Sequence, residues 1–220
     1  MDTLMHLSWQ QILMRLTLVP VLVASVIGVL RFHRLPNNLR YLAAGVAFFL
    51  FPMGLLGLAM MMMKRNNLFL MPIYTVGELL ILGLVYHATM RSRRFTWLVV
   101  ALVTGFVAYL LYDSQAGPSP DRFRPGQQVI QGLMVLLMVG LYFRRLLHDL
   151  QVRRLWEEPM FWVSVGLCIY FAAYLQIALF SNYLLRYSKQ LNMNIWTVHS
   201  LLFIVLYLCY CRALWLPPKK

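Results

Sequence analysis

Charge is scarce in this chain. Asp, Glu, Lys and Arg together make up 12% of its 220 residues, about half the share of an ordinary globular protein. Acidic side chains are scarcer still, seven against 20 basic ones. Hydrophobic residues fill 61% of the chain and the mean hydropathy is +0.67. A soluble core cannot hide that much apolar surface, whereas a lipid-facing bundle has no need to, so a water-soluble fold is excluded. The net charge of +13 would point to nucleic acid in a soluble protein. In a membrane protein it reports orientation instead, because Lys and Arg accumulate in cytoplasmic loops, and no nucleic-acid partner is expected.

Cysteine is nearly missing. Cys168, Cys209 and Cys211 lie in apolar stretches, which excludes an extracellular disulfide framework. Cys209 and Cys211 point about 200° apart on a helix, poor geometry for sharing a metal. No Walker loop, GxSxG elbow, HExxH or CxxC occurs. Lys64, Lys189, Lys219 and Lys220 all fall outside the hydrocarbon, which excludes a retinal attachment site. No catalytic set, cofactor or metal is expected from these residues.

Long apolar runs are abundant. A bilayer core about 30 Å thick needs roughly 20 mostly apolar helical residues, and seven stretches meet that length: about 11–31, 41–63, 68–90, 95–112, 127–143, 160–182 and 195–215. The fourth is the shortest. None alternates as a barrel strand does. The predicted fold is all-α, a polytopic transmembrane bundle of seven spans forming one domain over 1–220. Met1-Asp2-Thr3 lacks the positive start of a signal peptide, so the first run is expected to stay as a span. With the N-terminus outside, thirteen Lys and Arg flank the spans on the inner side and six on the outer, which favours N-out, C-in and a multi-pass protein of the inner (plasma) membrane. All six tryptophans then lie near an interface, where indole is most comfortable.

Ionisable groups at membrane depth are few. Glu78 is the one acidic residue there, where a mid-span carboxylate costs about 2.5–3.5 kcal/mol on insertion scales. A partner inside the bundle, a proton or a bound ligand must compensate. Tyr74 and Thr75 stand one turn before it on the same face. Arg15 lies well inside the first span, either reaching towards headgroups or partnering Glu78 or an anionic ligand. Gln127, Gln128 and Gln131 share one arc of the fifth span. Gln176 lies in the sixth and His199 in the seventh. Under the N-out topology all of these occupy the outer half of the membrane, and polar groups in lipid must find internal partners. The expectation is an outward-facing polar pocket formed by Arg15, Tyr74, Glu78, Gln127, Gln131, Gln176 and His199.

The inner side carries a different feature. From Arg144 to Leu155 the chain lacks Gly and Pro, which predicts that the fifth helix continues towards Pro159. Arg144, Arg145, Arg153 and Arg154 interleave there with Leu146, Leu147, Leu150 and Trp156. Such a projection attracts anionic lipid at the cytoplasmic face, worth about 1 kcal/mol per basic residue, or docks a cytoplasmic signalling protein. Oligomerisation is open.

The run Glu157-Glu158-Pro159-Met160-Phe161-Trp162, followed by Gly166 and Ile169-Tyr170-Phe171, resembles the start of the sixth span in seven-helix integral membrane proteins of Bacteroidetes, some of which resemble the membrane sensor modules of two-component systems. Trp196-Thr197-Val198-His199-Ser200 resembles the opening of their last helix, and Glu78 an acidic residue in their third. The resemblance implies a sensory role whose output is a separate protein, since the chain has no kinase, cyclase or receiver domain. Two other classes compete: a small-solute carrier or channel using Glu78, and an intramembrane lipid-modifying enzyme with Glu78 and His199 as an acid–base pair.

Overall fold

The computed structural model describes residues 9–63, 65–116, 125–148, 155–184 and 189–216. They are helical almost throughout, with no strand among the described residues: α1 (Trp9–Leu16), α2 (Leu18–Arg31), α3 (Asn37–Gly45), α4 (Phe51–Met62), α5 (Leu70–Met90), α6 (Arg93–Ala116), α7 (Pro125–His148), α8 (Pro159–Leu184) and α9 (Lys189–Trp215). Six helical segments are long and apolar enough to cross a membrane: Asn37–Met62, Leu70–Met90, Arg93–Gln115, Pro125–His148, Pro159–Ile177 and Met193–Trp215. The chain is therefore an all-helical membrane bundle.

Prolines explain where the helices depart from plain hydropathy. The first predicted span divides at Thr17 into eight-residue α1 and 14-residue α2, neither of which reaches across a bilayer alone. Pro20 has no N–H to give the carbonyl of residue 16, and its ring crowds that carbonyl. Thr17 keeps right-handed helical angles (φ −57°, ψ −27°), so the chain kinks here without looping out. In the next span a π-helical stretch, Val46–Leu50, joins α3 to α4, with Phe51 N–H bonding the Val46 carbonyl five residues back. Pro52 follows directly, and the widened turn takes up its missing donor.

The other boundaries lie close to expectation, with two corrections. The fourth span, expected to be the shortest, is a full 24-residue helix. At the opposite end of the bundle α7 reaches His148, and a tight 3₁₀ turn at Leu155–Glu157 stands where an unbroken helix towards Pro159 was predicted. Arg153 and Arg154 lie outside the described residues. Arg144 is exposed, whereas Arg145 Nη1 donates to the Met90 carbonyl and ties the end of α7 to the end of α5. That end of α5 turns on Arg91, a left-handed residue (φ 46°) that would ordinarily be glycine.

α9 packs against α8 and α2, α7 against α8 and α5, and α5 against α3 and α6. Tyr86, Tyr207, Tyr210, Phe106 and Phe171 are among the largest fully buried side chains. Small residues permit the closest approaches. A Cβ on Gly28 would lie 2.9 Å from that of Ala43, and one on Gly77 only 2.1 Å from the Phe49 ring. Large apolar side chains point outward instead, as at Phe48 (78% exposed), which is what a lipid-facing surface requires.

Candidate ligand-binding cavity

A half-enclosed cavity of about 660 Å³ opens between α4, α5, α7, α8 and α9, at the end of the bundle that holds the connection from α4 to α5. That volume suits a drug-sized molecule. Its walls are mostly apolar and aromatic: Met53, Met71, Phe171, Ile177, Trp196 and Phe203 among others. Among the described residues Glu78 is its one Asp, Glu, Lys or Arg lining residue.

Helical spacing builds the polar wall. On α5, Tyr74, Thr75 and Glu78 share a face, and Glu78 lies eight residues beyond Leu70, about 12 Å into the helix. α7 presents Gln128 and Gln131, three residues apart. Gln131 Nε2 donates to Glu78 Oε2 at 2.7 Å and more distantly to the Thr75 carbonyl at 3.3 Å. Both side chains are buried, Glu78 to 5% exposure and Gln131 to 2%. Gln131 is the one hydrogen-bonding partner of Glu78 among the described residues, and no cation pairs with the carboxylate there. Gln128 reaches only the Met71 sulfur, at 3.3 Å. Its carbonyl oxygen is buried with no partner, whereas the Tyr74 hydroxyl faces that of Tyr207. Buried polar atoms are rarely left without a partner, and Gln128 lines the cavity.

The facing wall is a ring cluster. Tyr170 Oη and His199 Nε2 lie 3.0 Å apart. Tyr170 and Tyr174, one turn apart on α8, stack with centroids at 5.7 Å and planes 8° apart. The His199 ring lies 5.0 Å from that of Tyr174 and 5.4 Å from that of Trp196. Asn67 stands near the mouth, giving its amide to the Gly57 carbonyl at 3.3 Å.

One turn deeper the space closes. Leu82 on α5, Val135 on α7, Leu167 on α8 and Tyr207 on α9 follow the lining residues Glu78, Gln131, Phe171 and Phe203, and each is at most 1% exposed. Below them Tyr86 Oη and Ser164 Oγ meet at 2.8 Å. The cavity is thus a cup with a packed floor, not a passage.

Of the seven pocket residues expected from sequence, Tyr74, Glu78, Gln131 and His199 line this cup. Three do not. Gln127 is buried, but its amide goes to Asp113 Oδ2 at 2.7 Å, joining α7 to α6. Gln176 is exposed, because it lies about 200° around α8 from the cavity-lining Tyr174. Arg15 is half-buried on α1, which packs against α9 away from the cavity walls. Sequence reasoning did not assign Gln128, Tyr170, Tyr174 or Trp196 to the site. The spacings Tyr170-x₃-Tyr174 and Trp196-x₂-His199-x₃-Phe203 carry the signal, since each set shares one helical face. Among the described residues no three His, Cys, Asp or Glu gather into a metal site, and Cys168, Cys209 and Cys211 are free thiols.

No family model, curated protein or solved structure matches the chain.

Proposed function

We propose that the protein is a membrane sensory module of seven spans, N-out and C-in, that binds a small molecule in the cup and reports its occupancy to a separate cytoplasmic partner. The kinked pair α1–α2, 23 residues from Trp9 to Arg31, supplies the first span. The excess of Lys and Arg at the end opposite the cup supports that orientation. The carrying observation is the closed floor: a solute route needs open space across the bundle, and beneath Glu78 the side chains of Leu82, Val135, Leu167 and Tyr207 are packed to at most 1% exposure. This favours a receptor over a carrier or channel. It also disfavours a hydrolytic or transfer enzyme, since His199 is engaged with Tyr170 and aromatic rings rather than with Glu78.

Reporting runs through the stretch 144–158, whose basic residues Arg144, Arg145, Arg153 and Arg154 supply positive charge for anionic lipid and for the partner. The ligand must bind two arrangements of the bundle unequally, since equal affinity shifts nothing. Single cysteines at positions 131 and 199 test the geometry when treated with a membrane-impermeant thiol reagent from the outer side. Both should react, and position 176, which faces lipid, should not. Protection of 131 and 199 from the outside, together with reaction from the inside, overturns the orientation and the reading with it.

A further inference from the structure

Among the described residues, the cup carries a negative group and no Lys or Arg. Glu78 brings one carboxylate to this wall, and among the described residues a single amide satisfies one of its two oxygens. The buried, unpartnered Gln128 carbonyl oxygen in the same cavity is a second acceptor awaiting a donor. Rings of Tyr170, Tyr174 and Trp196 complete the enclosure, and the negative faces of such rings attract cations within about 6 Å. An anion would meet Glu78 with no countercharge among the described residues, and a neutral molecule would leave the carboxylate to a proton for its compensation. A bare inorganic ion needs a shell of oxygen ligands, whereas these walls are mostly apolar.

Resting on the ligand-binding reading above, we propose that the cup recognises an ammonium group bearing at least one N–H on an apolar or aromatic body. The N–H groups donate to the free oxygen of Glu78 and to Gln128 Oε1, the rings of α8 and α9 flank the charge, and the apolar body lies against Met53, Met71 and Ile177. A free amine and an aminophospholipid headgroup share this chemistry.

The test is binding to full-length protein in phosphatidylcholine nanodiscs, read by the fluorescence of the cavity-lining Trp196. Three probes of one shape are compared: phenylbutylammonium, phenylbutanol and phenylbutanoate. The ammonium should bind tightest and the carboxylate weakest. Glu78→Gln preserves the bond to Gln131 and should weaken ammonium binding about tenfold or more, the value of one charge-assisted hydrogen bond, and should weaken phenylbutanol, which carries no charge, distinctly less. Should Glu78→Gln fold poorly, Tyr174→Leu, which removes only a ring face, should weaken the ammonium about threefold to tenfold. Competition when phosphatidylethanolamine replaces part of the lipid assigns the headgroup as the source. Lack of competition assigns a free amine. Equal or tighter binding of the alcohol overturns ammonium recognition but leaves the ligand-binding reading standing. Binding of none of the three, or displacement of the ammonium by sodium ion alone, overturns the proposal as well. The accessibility experiment judges the underlying reading separately.

Discussion

Removing Gln131 tests the physics of the cup most directly. Gln131→Leu keeps the volume of the side chain roughly constant but takes away the one hydrogen-bond donor to Glu78 among the described residues, held at 2.7 Å in a site where both groups are nearly inaccessible. A bond to an ionisable group is worth about 1.5–3 kcal/mol in water-soluble proteins. Pairs inside membrane proteins average about 0.6 and reach about 1.7 kcal/mol, because the unfolded chain also finds partners in lipid. The short distance and the burial place this pair near the upper end, so Gln131→Leu should cost about 1–2 kcal/mol. Glu78→Leu should cost less, since it removes the carboxylate itself and leaves an amide that still reaches the Thr75 carbonyl at 3.3 Å. The double variant Glu78→Leu/Gln131→Leu should recover most of the loss, because two matched apolar groups leave nothing unsatisfied. Unfolding free energies measured in bicelles for the four proteins form a double-mutant cycle, with an expected coupling of about 1 kcal/mol or more. Additivity within about 0.5 kcal/mol would refute the assignment of Gln131 as the partner that makes a buried Glu78 tolerable. The same double variant should lose ammonium binding while keeping its stability, which separates packing from recognition.

Gly77→Ala places a methyl group 2.1 Å from Phe49 Cε1 and Cζ. It should destabilise the bundle by about 1–3 kcal/mol through overpacking, with Phe49→Leu restoring most of that in thermal unfolding. Tyr86→Phe and Ser164→Ala each break the buried 2.8 Å contact between α5 and α8. Their double-mutant cycle should give a coupling of about 0.6–1.7 kcal/mol, read from the same unfolding assay, with no change in ligand affinity.

Hydropathy makes the helices legible in the sequence but does not show how their hydrogen bonds run. The run 11–31 looks uniform, yet Pro20 withholds a donor and the helix divides at Thr17. Pro52 in the next span is absorbed by the π-helical stretch ahead of it, a compensation that composition does not encode. The fourth span is longer than its apolar run because Asp113 and Gln115 continue the helix, Asp113 taking the amide of Gln127. For the site, the cost of polar atoms in lipid singles out Glu78, Gln131 and His199 from sequence alone. The same argument gathers Arg15, Gln127 and Gln176, because depth along a helix fixes a side chain's level but not its direction around the axis. Tyr170, Tyr174 and Trp196 escape for the opposite reason: aromatic side chains are at home in any membrane core or interface, so their presence there signals nothing until neighbouring helices turn them to one space.

Helices α5 and α7 are fastened together twice, by Gln131 on Glu78 near one end and by Arg145 on the Met90 carbonyl at the other. Two attachments some 20 Å apart, on the 1.5 Å rise of the 14 residues from Gln131 to Arg145, oppose both sliding and splaying of that pair. α8 packs against both α7 and α9 and so ties that pair to the remaining wall of the cup. A guest that filled the cup would therefore press on walls braced to one another on every described side, and would be held by a frame set in advance instead of one that folds around it.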